Sequence, residues 1–176
     1  MRVYVAEPAA GTPVYERCSF NPRVPIGVQV ERAGVRAIVS VTWHFGRGYV
    51  EAQYDLPPGT TIVLQDNAVM LDRRDGRPAE ALRFPGVSPA GPASNSDRPE
   101  STALRKLMLP VETPLVGGRS GPSWNKHYWI AARLGADPTG DVWITLPPFT
   151  IDGTPERLPE IHFSRRWMIA VVGPNC

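Results

Sequence analysis

The chain has 176 residues, of which 42% are hydrophobic and 20% charged, with a formal net charge of +2. That length suits one domain able to bury about two-thirds of its unfolded surface, and the balance excludes both wholesale disorder and the strong field of a nucleic-acid-binding surface. With 20 prolines and 16 glycines the chain is cut into pieces too short for a helical bundle. No apolar run reaches the about 18 residues of a membrane-spanning helix.

The first twenty residues lack the basic head and apolar run of a signal peptide. Val3-Tyr4-Val5 reads as a short edge strand, followed by a lead-in broken at Pro8, Pro13, Pro22 and Pro25. Ile26, Val28 and Val30 then alternate with polar partners, and Ala33-Gly34 makes a turn. Beyond it Val35, Ala37, Val39, Val41, Trp43 and Phe45 occupy one face of a strand. A turn at Gly46-Arg47-Gly48 leads into Val50, Ala52 and Tyr54, again apolar at every second position. Period-two alternation is the mark of half-buried antiparallel strands.

Leu56-Pro57-Pro58 forms a rigid corner, and Leu146-Pro147-Pro148 repeats it near the other end. Thr60 to Leu64 and Ala68 to Leu71 flank Gln65-Asp66-Asn67, which reads as a tight reversal. Asp75-Gly76 is a two-residue hairpin signal, pairing Ala68 to Asp72 with a strand toward Phe84, and Pro78 keeps that strand on an edge. Residues 85–99 are rich in Pro, Gly, Ala, Ser and Asn without periodicity and read as a flexible loop.

Asp97 and Glu100 start one short helix carrying Leu104, Leu107 and Met108 and ended by Pro110, with a strand over Leu107 to Val111 as the alternative. After a second glycine-rich loop over 114–122, Tyr128, Ile130 and Ala132 alternate with Trp129, Ala131 and Arg133, bulky enough on both faces for a central, twice-covered strand. Val142 to Thr145, Phe149 to Ile151, Leu158 to Phe163 and Trp167 to Val172 complete about ten strands, with Asp152-Gly153 as a turn. The expected fold is all-β: a single domain over residues 1–176 forming a two-sheet antiparallel β-sandwich, jelly-roll or immunoglobulin-like, with at most one short helix.

Cys18 and Cys176 are the two cysteines. A bond between them would close nearly the whole chain, a constraint worth up to roughly 5 kcal/mol in the chain-entropy picture. It would place the protein in the periplasm or outside the cell, with Met1 standing where a leader has been removed; free thiols would place it in the cytoplasm.

No nucleophile elbow, P-loop or paired metal-ligand spacing occurs, and the sequence points to no cofactor. Ser120 is a loop serine, and Gly117-Gly118 lacks the neighbours of a phosphate loop. His44, His127 and His162 lie inside strand patterns, and Asp55, Asp66, Asp141 and Glu160 at strand ends; a histidine metal centre or a carboxylate-based hydrolase needs distant strands to bring these together. The concentration of Trp124, His127, Tyr128 and Trp129 is a candidate binding surface, because aromatic rings give large contact area at low entropic cost. Arg73, Arg74 and Arg77 form a second candidate, able to grip an acidic partner.

The expected function is therefore a non-enzymatic extracytoplasmic binding or structural module that contacts a protein partner through its loops. A carbohydrate-binding module using Trp124, Trp129 and Trp143 is the alternative.

Overall fold

A computed structural model describes residues 2–7, 9, 11–15, 25–44, 47–89, 107–119, 125–135 and 138–167. Apart from a 3-10 position at Ala9, every regular element among them is a strand or bridge of antiparallel β-structure, and no α-helix occurs among the described residues. Sheet I runs in the order β1 (Arg2–Ala6), β14 (Ile161–Trp167), β11 (Val142–Thr145), β7 (Ala68–Asp72) and β8 (Glu80–Arg83). Sheet II runs β10 (Lys126–Arg133), β5 (Arg47–Leu56), β4 (Val35–His44), β3 (Pro25–Arg32) and β2 (Thr12–Tyr15). Sheet III runs β13 (Thr154–Glu156), β12 (Phe149–Ile151), β6 (Thr61–Leu64) and β9 (Leu115–Val116).

The alternation around the first hairpins is realised as read. Val28 and Val30 of β3, Val35, Ala37, Val39 and Val41 of β4, and Val50, Ala52 and Tyr54 of β5 are all buried on one face of sheet II. Ala33 and Gly34 both take positive φ, 49° and 78°, the two-residue turn whose twist matches that of the strands it joins. Asp152-Gly153 repeats it between β12 and β13, with φ of 48° and 84°. Strand β5 starts earlier than expected: His44 pairs with Arg47 and Trp43 with Gly48, so Arg47 and Gly48 already belong to β5, while Phe45 and Gly46 lie outside the described residues. Gly48 has no side chain because Leu134 and Trp43 fill that space; an added Cβ would lie 2.6 Å from Leu134 Cδ1.

Three sheets stand where two were expected, and the corners explain why. The strand pair β7·β11 in sheet I continues as the pair β6·β12 in sheet III, so two neighbouring chain segments bend together from one sheet into the other. Gln65–Asn67 is thus a corner and not a tight reversal, with the Gln65 N–H donating to the Pro148 carbonyl at 2.8 Å. Leu146-Pro147-Pro148 is the matching corner, and Leu56-Pro57-Pro58 turns the chain from β5 in sheet II to β6 in sheet III. Proline suits these sites because it removes a ladder donor where pairing must break.

One continuous core draws on all three sheets, with Ile144 and Phe163 from sheet I, Val39 and Tyr54 from sheet II, and Ile62 and Phe149 from sheet III. Strand β1 lies against β3 and β4, and β8 against β10. Tyr4 of β1 stacks on Trp43 of β4 at 5.3 Å between ring centroids and donates its hydroxyl to the Pro138 carbonyl at 2.8 Å.

Tyr54 is fully buried, and its hydroxyl has no hydrogen-bond partner among the described residues. Burial pushes its phenol well above the ordinary range. Because the folded value is raised, the phenol is neutral in both states below the unfolded value of about 10, and its titration lowers stability as pH rises beyond that value. Tyr54→Phe should therefore raise stability by about 1 kcal/mol at neutral pH and flatten the alkaline limb of the stability profile. Urea denaturation across pH checks this, and a destabilised variant would show that the hydroxyl is satisfied.

Other expectations shift. The loop expected over 85–99 begins with a bound segment: Val87 bridges Leu109 and Ser88 bridges Trp129, with both Val87 and Ser88 buried. Leu107 and Met108 are not helical and Leu109 forms only an isolated bridge, so residues 107–111 hold neither the expected helix end nor the alternative strand. The expected helix start at Asp97 lies outside the described residues. Strand β10 ends sheet II instead of lying centrally, because Trp129 and Ala131 are only half covered. The Asp75-Gly76 reversal is wider than a two-residue turn. Asp72 accepts the Arg74 N–H and Asp75 the Arg77 N–H, which holds residues 73–79 as a loop between β7 and β8. Strand β8 does lie on an edge. Ile161–Phe163 and Trp167 belong to one strand, and the extension to Val172 lies outside the described residues.

Candidate functional site

The free edge of β10 is where side chains of several segments converge. Residues 116–119 leave sheet III and run antiparallel to the start of β10, with Arg119 bridging Asn125 and Lys126 N–H donating to the Gly118 carbonyl at 2.8 Å. Further along, Trp129 exchanges two backbone hydrogen bonds with Ser88, at 2.8 and 2.9 Å. Between these attachments lies an open groove of about 500 Å³ with Pro89 on one side, residues 116–119 on the other, and Lys126, His127 and Trp129 along β10. The Tyr128 hydroxyl donates to the Val116 carbonyl at 2.9 Å and pins the second wall to the strand.

Registry sets what stands beside the groove. On the outer face of sheet II, His127 lies opposite Asp55, Asp55 opposite Arg36, and Arg36 opposite Glu31. The resulting row has His127 Nδ1 3.8 Å from Asp55 Oδ1, Asp55 Oδ2 3.5 Å from Arg36 Nη1, and Arg36 Nε 3.8 Å from Glu31 Oε2. The Gln53 amide donates to His127 Nδ1 at 3.1 Å, which leaves the neutral ring's proton on Nε2. Asp55 Oδ1 is buried without a hydrogen-bond partner. The His127 ring tilts by 59° against Trp129 at 5.6 Å.

The arginines expected to grip an acidic partner are engaged within the chain. Arg73 donates to Glu80 at 2.7 Å, Arg74 pairs with Glu160, and Arg77 pairs with Asp75. Arg77's hydrogen bonds hold the Asp75 carboxyl down at about 2. Arg74 also sits 4.2 Å from the Trp143 ring centroid, and His162 stacks on the same indole at 4.4 Å. His162 Nε2 is 3.0 Å from Asp141 Oδ2. Trp143 is thus committed to its neighbours, and it stands in sheet I while Trp129 stands in sheet II. Trp124 lies outside the described residues, as do Ser120, Cys18 and Cys176, and the described structure contains no disulfide.

His44 and His127 belong to strands of sheet II and His162 to sheet I, and no group of three His, Cys, Asp or Glu side chains suited to a metal occurs among the described residues. No described helix is long and apolar enough to cross a membrane. Of the site residues expected from sequence, the groove retains His127 and Trp129. It adds Arg119 and Lys126, which no spacing singled out and which the Arg119–Asn125 bridge and the Lys126–Gly118 hydrogen bond bring side by side. Comparison with protein-family models, with curated proteins and with solved structures gave no match.

Proposed function

We propose that the protein is a non-enzymatic binding module that engages a protein partner at the β10 edge. One observation carries this reading: a half-exposed Trp129 lies in an open groove walled by the segments around Pro89 and Val116. A large aromatic ring in an open groove is the kind of anchor that concentrates binding energy at protein contacts. The loop over 73–77 is the weaker candidate, since its guanidinium groups already have carboxylates.

In this reading sheets I and II form the two layers of a sandwich, with sheet III closing one end where the corners meet. The placement outside the cytosol rests on the sequence alone, through the pairing of Cys18 with Cys176; two free thiols in the native protein would remove it.

The test is capture from extracts of the source cells by immobilised protein. A specific protein recovered by the native chain should be lost by about thirtyfold with Trp129→Ala, the effect of removing an anchor worth about 2 kcal/mol, while the variant's melting temperature is unchanged. Capture indifferent to Trp129 refutes the proposed surface. Trp129-dependent retention on a glycan array in its place reassigns the partner to carbohydrate.

A further inference from the structure

Charge is matched over much of the described surface and unmatched at the groove. Arg32 pairs with Glu156, Arg36 with Asp55 and Glu31, Arg73 with Glu80, Arg74 with Glu160, Arg77 with Asp75 and Arg166 with Glu7. Among the described residues, Arg83, Arg119, Lys126 and Arg157 have no carboxylate partner, and two of them, Arg119 and Lys126, line the same groove. Asp55 of β5, opposite His127, is directed to Arg36 and His127. The Lys126 ammonium rests 5.3 Å from the Tyr128 ring, which draws the lysine stem along the strand.

The backbone cannot supply anion recognition here. The Gly117 and Gly118 N–H groups are spent on the carbonyls of Thr60 and Leu56, at 2.7 and 3.3 Å. An anion entering the groove would therefore be read by side chains, a guanidinium and an ammonium, with the Trp129 indole beside them. Two cations without partners attract negative charge, and the aromatic wall favours a neighbouring apolar group on the same ligand.

Resting on the groove as the partner surface, we infer that it receives an acidic segment of the partner protein: a Glu or Asp side chain held by Arg119 and Lys126, with an adjacent apolar residue against Trp129. A groove of about 500 Å³ holds two or three side chains and not a folded element, so the contact is with an extended stretch. The charge pair sets orientation and encounter rate, and the indole supplies the apolar contact.

The test uses the full chain and three probes: a short peptide of glutamates around one phenylalanine, its glutamine counterpart, and inorganic phosphate, each titrated calorimetrically and followed by the Trp129 indole N–H resonance. The glutamate peptide should bind about tenfold or more tightly than the glutamine peptide and weaken as salt is raised. Arg119→Glu and Lys126→Glu should each lower that affinity by about tenfold, with Arg119→Gln intermediate, at unchanged melting temperature. Equal binding of the two peptides, absence of acidic-peptide binding, or phosphate binding without peptide preference would each overturn the inference. If Trp129-dependent capture of a protein persists in such a case, the binding-module reading stands without the acidic specificity. If the acidic peptide binds and no protein is captured through Trp129, that reading falls and the anion site remains.

Discussion

Replacing Phe149 with alanine should lower the melting temperature by roughly 6–20 °C in one coincident transition, following a loss of about 3–5 kcal/mol. Phe149 is fully buried in β12 and is paired with Leu64 of β6 and Glu156 of β13. Its removal leaves a cavity that β12 and its neighbours can fill only in part, because both flanking strands are fixed by their own ladders. The informative quantity is where the loss is felt. Sheet III contains no tryptophan, whereas Trp43 and Trp129 report on sheet II and Trp143 on sheet I. Since β6 and β12 continue through the corners at 65–67 and 146–148 into β7 and β11, the loss should move tryptophan fluorescence and far-ultraviolet dichroism together. A fluorescence transition left in place while part of the dichroism melts early would show that sheet III unfolds on its own, contrary to a shared core.

Adjacent glycines provide the second large contrast. A Cβ at Gly117 would lie 2.0 Å from the Pro57 carbonyl oxygen, 2.9 Å from that of Thr60 and 3.0 Å from that of Leu56, whereas one at Gly118 would meet nothing within 4 Å. All three obstructing atoms are backbone, so no side-chain rotation relieves the contact. Gly117→Ala must push the segment after β9 off the Leu56-Pro57-Pro58 corner, stretching the bonds from Gly117 to Thr60 and from Gly118 to Leu56. A cost of about 1–3 kcal/mol follows from overpacking of this kind, together with loss of binding at the groove, since that segment carries Arg119. Gly118→Ala should melt with the native protein. Paired thermal melts and peptide titrations check both statements. If Gly117→Ala melts and binds like the native chain, residues 116–119 are not seated on the corner as described.

The groove was only partly legible beforehand. Trp129 stood out as an aromatic in a clustered stretch, but Arg119 and Lys126 are ordinary loop and strand-end residues. Their significance lies in having no carboxylate opposite them, and partner identity depends on which strands become neighbours. Arg73, Arg74 and Arg77 show the reverse. They read as a free basic cluster, yet Glu80 and Glu160 neutralise two of them, the latter from 86 residues away in sequence.

Local periodicity sufficed for what is local. The alternation of Val35 to Tyr54 determined a buried face, and Ala33-Gly34 and Asp152-Gly153 determined turns, because side-chain direction in a strand and the φ preferences of a turn depend on a few successive residues. The Leu-Pro-Pro triplets marked corners for the same reason: a proline removes its own donor wherever it stands. Tertiary structure alone decided that the strands divide into three sheets, that β10 ends a sheet and leaves an edge open, and that His127, Asp55, Arg36 and Glu31 form one row. Those outcomes depend on which distant segments bury one another's apolar faces, a competition settled over the whole core and not within any window of the chain.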